Sequence, residues 1–192
     1  MITEIVSNFF ANAPSDCGSL YHERSLQLEL GCVFRGEGFA VEFERPIKAP
    51  RPVGSTKPPK YNLDLLLSKN GTTTAIELKF PMNGRHPETM YDFCADIEFV
   101  ESIRNADKVN RGFCLMATND KAFWNDSGRG SQIHDLFRRS GSVLSGLVGK
   151  PTGSKTDSVV VLGRYHLSDS WREIRDKHLL QRGRYLLVEI AA

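Results

Sequence analysis

The stretch YNLDLLLSKNGTTTAIELKF, residues 61–80, decides how this chain reads. It divides into two apolar runs, 61–68 and 72–80, around Lys69-Asn70-Gly71. Asn and Gly both tolerate positive φ, so an Asn-Gly pair between such runs predicts a tight β-hairpin. Side chains alternate along a strand. Ile76, Leu78 and Phe80 therefore share one face of the second strand, and Glu77 and Lys79 share the other. In the first strand Leu63, Leu65 and Leu67 are expected on one face, with Asp64 turned away. Antiparallel pairing then sets Asp64 beside Glu77, with Lys79 one side-chain repeat further, roughly 7 Å from Glu77.

Three ionisable groups in so apolar a neighbourhood are costly unless they are paired or bind something. A divalent ion is one solution. Asp64 and Glu77 offer hard oxygen ligands, and the carbonyl of Leu78 a further one, which suits Mg²⁺ with Mn²⁺ as a substitute. Such an ion polarises a phosphodiester and lowers the pKa of a bound water. Lys79 would orient that water or offset charge on the non-bridging oxygens. The competing reading is a structural Asp–Lys or Glu–Lys pair at the edge of the sheet.

Upstream, residues 21–35 predict a helix, with Glu23, Leu26, Leu30, Val33 and Phe34 at three- and four-residue steps and Gly36 and Gly38 beyond it. Residues 39–44 alternate as a strand that Pro46 closes, and a proline-rich loop runs on to Pro59. Residues 83–87 read as loop. Residues 88–106 predict a long helix with an arc of Met90, Phe93, Cys94, Ile97 and Val100, and 111–118 a buried strand. Further on, 131–139 reads as a short helix, 140–155 as a mobile Gly- and Ser-rich loop, 157–165 and 185–190 as strands. The polar stretch 171–180 reads as helical. The fold class expected is α/β, with a central mixed sheet flanked by helices in one domain over 1–192. Its core is about 21–118 and its C-terminal elaboration about 119–192.

Asp64, twelve residues, then Glu77-Leu78-Lys79, behind a helix carrying Glu23 and ahead of a long helix and a buried strand, resembles the PD-(D/E)xK superfamily of restriction-endonuclease-like nucleases. The resemblance covers residues 21–118. It implies that Asp64 and Glu77 bind the divalent metal and that Lys79 assists phosphodiester hydrolysis. It also implies that Glu23, on the first helix, stands near the metal. Leu63 occupies the place of the family's proline, with Pro58 and Pro59 close upstream. Glu23 has support of its own, since it shares the helix side of Leu26, Leu30 and Phe34, while Glu29 lies about 120° round. The plainer role for Glu23 is favouring the first helical turn by its negative charge.

Among other residues, Lys57, Lys60 and Arg85 are candidate contacts to a nucleic-acid backbone, with His86 beside them. Gln27 would either reach a metal-bound water or Lys79 or serve as a structural polar residue, Tyr91 would line the cleft, and Asp96 would be either a site neighbour or a solvated helix carboxylate. Trp124 and Trp171 read as packing anchors. Cys17, Cys32, Cys94 and Cys114 lack zinc spacing, and the last three sit in apolar surroundings that predict buried thiols. Net charge is only +2, yet residues 129–184 hold eleven Lys or Arg against five Asp or Glu, which suits a polyanion. With no leader-like or membrane-length segment, the expectation is a cytoplasmic protein without a membrane partner. The functional expectation is an Mg²⁺-dependent nuclease acting on DNA, with RNA as the other polymer. It would work as a homodimer or with a protein partner, because one site cuts one strand. The alternative is a non-enzymatic nucleic-acid-binding or complex-forming protein that keeps the fold.

Overall fold

The computed structural model describes residues 1–82, 84–126, 128, 131–153 and 156–190. Asn83 at the head of the expected loop, Ser154 and Lys155 at the end of the Gly/Ser-rich stretch, and Arg129 lie outside these described residues.

Ile2, Ile5, Val6, Phe9 and Phe10 recur at helical spacing and are all buried, so Ile2–Ala11 forms helix α1. Helix α2, Glu23–Gly36, starts at His22, whose Nδ1 accepts from Ser25 N–H (2.8 Å) while Ser25 Oγ accepts from His22 N–H (3.1 Å). This reciprocal cap satisfies two donors that the first turn would leave open. Strand β1, Ala40–Pro46, pairs antiparallel with β2, Asn62–Lys69. The hairpin at Asn70 (φ 51) and Gly71 (φ 76) leads to β3, Thr72–Lys79. Helix α3, His86–Asn105, crosses over to β4, Arg111–Thr118, which pairs parallel with β3.

After a short turn at Lys121–Phe123 comes helix α4, Gln132–Arg138. Strands β5, Leu144–Gly149, and β6, Ser158–Tyr165, form a separate two-stranded sheet. Strands β7, Trp171–Glu173, and β8, Arg184–Ile190, return to the main sheet, whose order is β1-β2-β3-β4-β8-β7. The result is an α/β fold with a mixed six-stranded sheet between helices. One core unites α1, α2, Leu65, Leu67, Ile76, Leu78 and Phe113. The other unites α3, α4, the β5–β6 hairpin, Cys114, Met116, Leu186 and Val188. No helix among the described residues is long and apolar enough to cross a membrane.

Several expectations change. The sheet reaches beyond residues 21–118, because β8 covers the far edge of β4. Residues 144–149, expected in a mobile loop, form β5, since Leu144 is buried and the strand has β6 to pair with. Trp171–Glu173, expected as helix, is a strand because the outer edge of β8 offers it a ladder. Beyond it the Asp176 carboxylate accepts from Ala13, His178 and Leu179 N–H, giving those donors a partner outside any helix. Cys32 is exposed rather than buried, because it lies on the outer side of α2.

Candidate active site

The site forms where β2 leaves the ladder. The β1–β2 register passes from Phe43↔Leu65 to Arg45↔Leu63 with Glu44 at φ 50, and the β2–β3 register ends at Leu65↔Ile76. Gln27 Nε2 donates to the freed Asp64 carbonyl (2.8 Å) and to Glu44 Oε1 (3.0 Å). Leu78 N–H donates to Asp64 Oδ2 (2.7 Å), so the carboxylate fills the place of a missing strand acceptor. The same irregularity puts Leu63 in the α3 core, whereas plain alternation would place it with Leu65 and Leu67.

Glu77 and Lys79 project toward α3, as alternation requires. Glu77 is 1% exposed, Asp96 4% and Asp64 7%, so three carboxylates are withdrawn from water within one neighbourhood. Their oxygens converge on Lys60. Its ammonium bonds Glu77 Oε2 and lies 3.7 Å from Asp64 Oδ1 and 3.4 Å from Asp96 Oδ1. Lys79 Nζ lies 2.9 Å from Asp96 Oδ2 and 3.4 Å from the Leu78 carbonyl. Glu23 reaches round the end of β3, where its Oε2 accepts from Phe80 N–H (3.3 Å). Glu29 instead takes the N–H of Gly18 (3.0 Å). Glu77 Oε1 has no hydrogen-bond partner among the described residues.

This crowding sets the protonation of the groups. Burial pushes the Glu77 pKa well above the usual carboxylate range, and the Asp96 and Asp64 carboxylates push it further. Burial also raises Glu23, which Lys79 opposes and Asp64 and Asp96 reinforce. For Lys79 and Lys60 burial alone favours the neutral amine. The surrounding carboxylates, Asp96 first, more than offset it and hold both above the usual lysine value.

Between α3 and the strap of residues 47–61 lies a cavity of about 270 Å³. Its walls include Pro50, Pro52, Pro58, Pro59 and Phe99, and it reaches Lys60, Lys79 and Asp96. The strap is closed at its base by Ile47 N–H to the Tyr61 carbonyl (2.7 Å) and pinned to β6 by Thr56 and Lys57 N–H to the Ser158 carbonyl (2.9 and 3.1 Å). Lys57, also expected to meet a phosphate, pairs with Asp92 and stands 4.9 Å from the centre of the Tyr91 ring. Arg85 is exposed at the start of α3, and His86 is bound to Asp120 (2.6 Å). Tyr91 belongs to the core rather than the cleft surface: it is 2% exposed, and its hydroxyl has no hydrogen-bond partner among the described residues.

The structure thus brings together Glu23, Asp64, Glu77, Leu78 and Lys79, and adds Lys60 and Asp96 to them. Asp96 lies at the edge of the apolar arc of α3, about 40° round the helix from Val100. A carboxylate there is buried and needs a partner. The place of Lys60 follows from the path of the strap, which no local periodicity encodes. Among the described residues no group of three or more His, Cys, Asp or Glu side chains stands arranged around a metal position. The donor chemistry nevertheless suits a hard divalent ion, because Glu77 presents a buried oxygen with no partner beside the oxygens of Asp64. Comparison with protein-family models, with curated proteins and with solved structures gives no match.

Proposed function

We propose that this protein is a divalent-metal-dependent nuclease of the restriction-endonuclease-like PD-(D/E)xK type, hydrolysing phosphodiester bonds of DNA. The observation that supports it best is the pair of buried carboxyl groups of Asp64 and Glu77 at the point where β2 and β3 diverge, with the half-buried Lys79 beside them. Asp64, Glu77 and the Leu78 carbonyl are the residues that would hold Mg²⁺ or Mn²⁺, and Asp96 adds a carboxylate beside them. The ion, when bound, supplies Lewis acidity toward the phosphodiester and toward water. In the metal-free protein Asp96 and Glu23 hold the Lys79 pKa high. A charged ammonium there would stabilise charge at the non-bridging oxygens and orient the attacking water. Asp96 fixes the Lys79 ammonium at 2.9 Å and so acts as its positioning residue. Glu23 adds a carboxyl group at the end of β3, where burial holds its pKa above the ordinary carboxylate value against the opposing charge of Lys79.

The test is gel-based cleavage and binding on the same preparations, at low ionic strength with Mg²⁺ or Mn²⁺, using DNA and RNA. Wild type should cut DNA. Lys79→Ala should lose the cutting and keep most of its DNA affinity, since affinity comes mainly from distributed phosphate contacts. Asp64→Ala should also stop cleavage. Binding without metal-dependent cutting of either polymer would favour the second reading, a nucleic-acid-binding or complex-forming protein on this fold. That reading draws on the convergence of the carboxylates on Lys60.

A further inference from the structure

We infer that Lys60 is a resident cation in the carboxylate centre, exchanged for the divalent ion when the strap of residues 47–61 lifts. The inference rests on the metal-dependent reading above. It begins with contact. A hard divalent ion needs its oxygens at about 2.1 Å. The Lys60 ammonium already bonds Glu77 Oε2 and lies 3.7 Å from Asp64 Oδ1. An ion on those oxygens and an ammonium in its present place would overlap and repel. One must leave.

Charge explains why the lysine is there. Asp64, Glu77 and Asp96 are all nearly buried, and among the described residues the ion pair of Lys79 is with Asp96. Without a second cation, the Asp64 and Asp96 carboxylates and the Glu77 carboxyl group would have only Lys79 beside them, in a medium where unbalanced charge is costly. Lys60 supplies that cation from the end of the strap. A divalent ion carries more charge and can reach Glu77 Oε1, which the lysine leaves without a partner.

The structure also holds a route for the exchange. The strap is fastened at its base and around residues 54–57, where Ser158 Oγ donates to the Gly54 carbonyl (3.1 Å), Thr56 Oγ1 donates to the Thr156 carbonyl (3.0 Å) and Lys57 pairs with Asp92. Ile47 closes its base, and Thr56 and Lys57 hold the Ser158 carbonyl while Ser158 N–H donates back to Thr56 Oγ1 (2.8 Å). Between these anchors the strap overlies the cavity of about 270 Å³ that Lys60 itself lines. The ammonium can move there without leaving the protein surface. Metal affinity is therefore reduced by the fraction of molecules whose strap is down.

Calorimetric titration with Mn²⁺, with hydrogen exchange of residues 47–61 followed alongside, tests the exchange without any nucleic acid. In wild type, Mn²⁺ should speed exchange across the strap. Lys60→Met should tighten Mn²⁺ binding by about tenfold or more, since its site is already vacated. That variant also changes the local charge, so Thr56→Val supplies a neutral control. It loosens the strap while leaving every charged group in place, and should tighten Mn²⁺ binding by about two- to fivefold. Mn²⁺ binding in wild type with unchanged strap exchange, and equal affinity in Thr56→Val, would overturn the inference while the metal-dependent reading stood. No Mn²⁺ binding in wild type, Thr56→Val or Lys60→Met would overturn both.

Discussion

At the scale of single residues, gathering buried carboxyl groups in one place costs stability, and Glu77 is the most buried of them. Its folded-state pKa lies well above the usual 4.5, so the native protein retains a proton that the unfolded chain has released. The favourable contribution of that proton is complete at acid pH and is lost as pH rises from about 4.5 through the raised value. Glu77→Gln removes this dependence. Metal-free Glu77→Gln should show a flatter pH profile of melting temperature than wild type, gaining on it as pH rises. Saturating Mn²⁺ should favour wild type, because only wild type gains from binding. Melting curves of both proteins from pH 4 to pH 8, with and without the ion, read out both effects. A wild-type protein that stabilises steadily as pH rises through this range would contradict the assignment.

At the scale of elements, α3 positions the centre and is itself held from both sides. Gly112 of β4 lies under it, where a Cβ would stand 2.2 Å from Val100 Cγ1. Gly112→Ala should therefore cost about 1–3 kcal/mol in denaturant unfolding through overpacking. On the outer side the buried Glu101 carboxylate accepts from Leu162 N–H (2.8 Å), Gly163 N–H (2.7 Å) and Tyr165 OH (2.8 Å). Glu101→Gln replaces one acceptor oxygen with a donor. It should cost about 1–3 kcal/mol and speed amide exchange in Ser158–Tyr165, while the β2–β3 hairpin stays protected. The elements around the centre were legible in the chain because each states its period locally: Asn70-Gly71 marks the hairpin, and 111–118 reads as β4 without shift. Elements stabilised from a distance were not. Trp171–Glu173 becomes a strand only because β8 is beside it. The helical spacing of Ile2, Ile5, Val6, Phe9 and Phe10 was present all along, and a periodicity count over residues 2–10 exposes it. In the centre, alternation put Asp64, Glu77 and Lys79 together, whereas Lys60 arrives through a loop whose course depends on the β6 backbone.

At the scale of the molecule, distant parts of the chain seal one another. Helix α1 stacks Phe10 on Tyr185 of β8, with ring centres 4.4 Å apart, and the Phe10 carbonyl accepts from Arg175 and Asp176 N–H. Phe10→Ala should cost about 3–5 kcal/mol in denaturant unfolding. Its loss should expose β8 to exchange before β2 and β3. Strand β8 is also the partner of β4 along Gly112–Thr118, and it is made long after β4. At about 5–20 residues per second, synthesis takes roughly three to thirteen seconds to travel from Thr118 to Arg184. Through that interval α1 has no Tyr185 to rest on, and β4 presents an open ladder to any other strand it meets. A nascent chain can hold its β2–β3 hairpin while it still lacks the strand that completes the sheet. Birth order thus leaves that edge of β4 open to edge-to-edge association until β8 emerges.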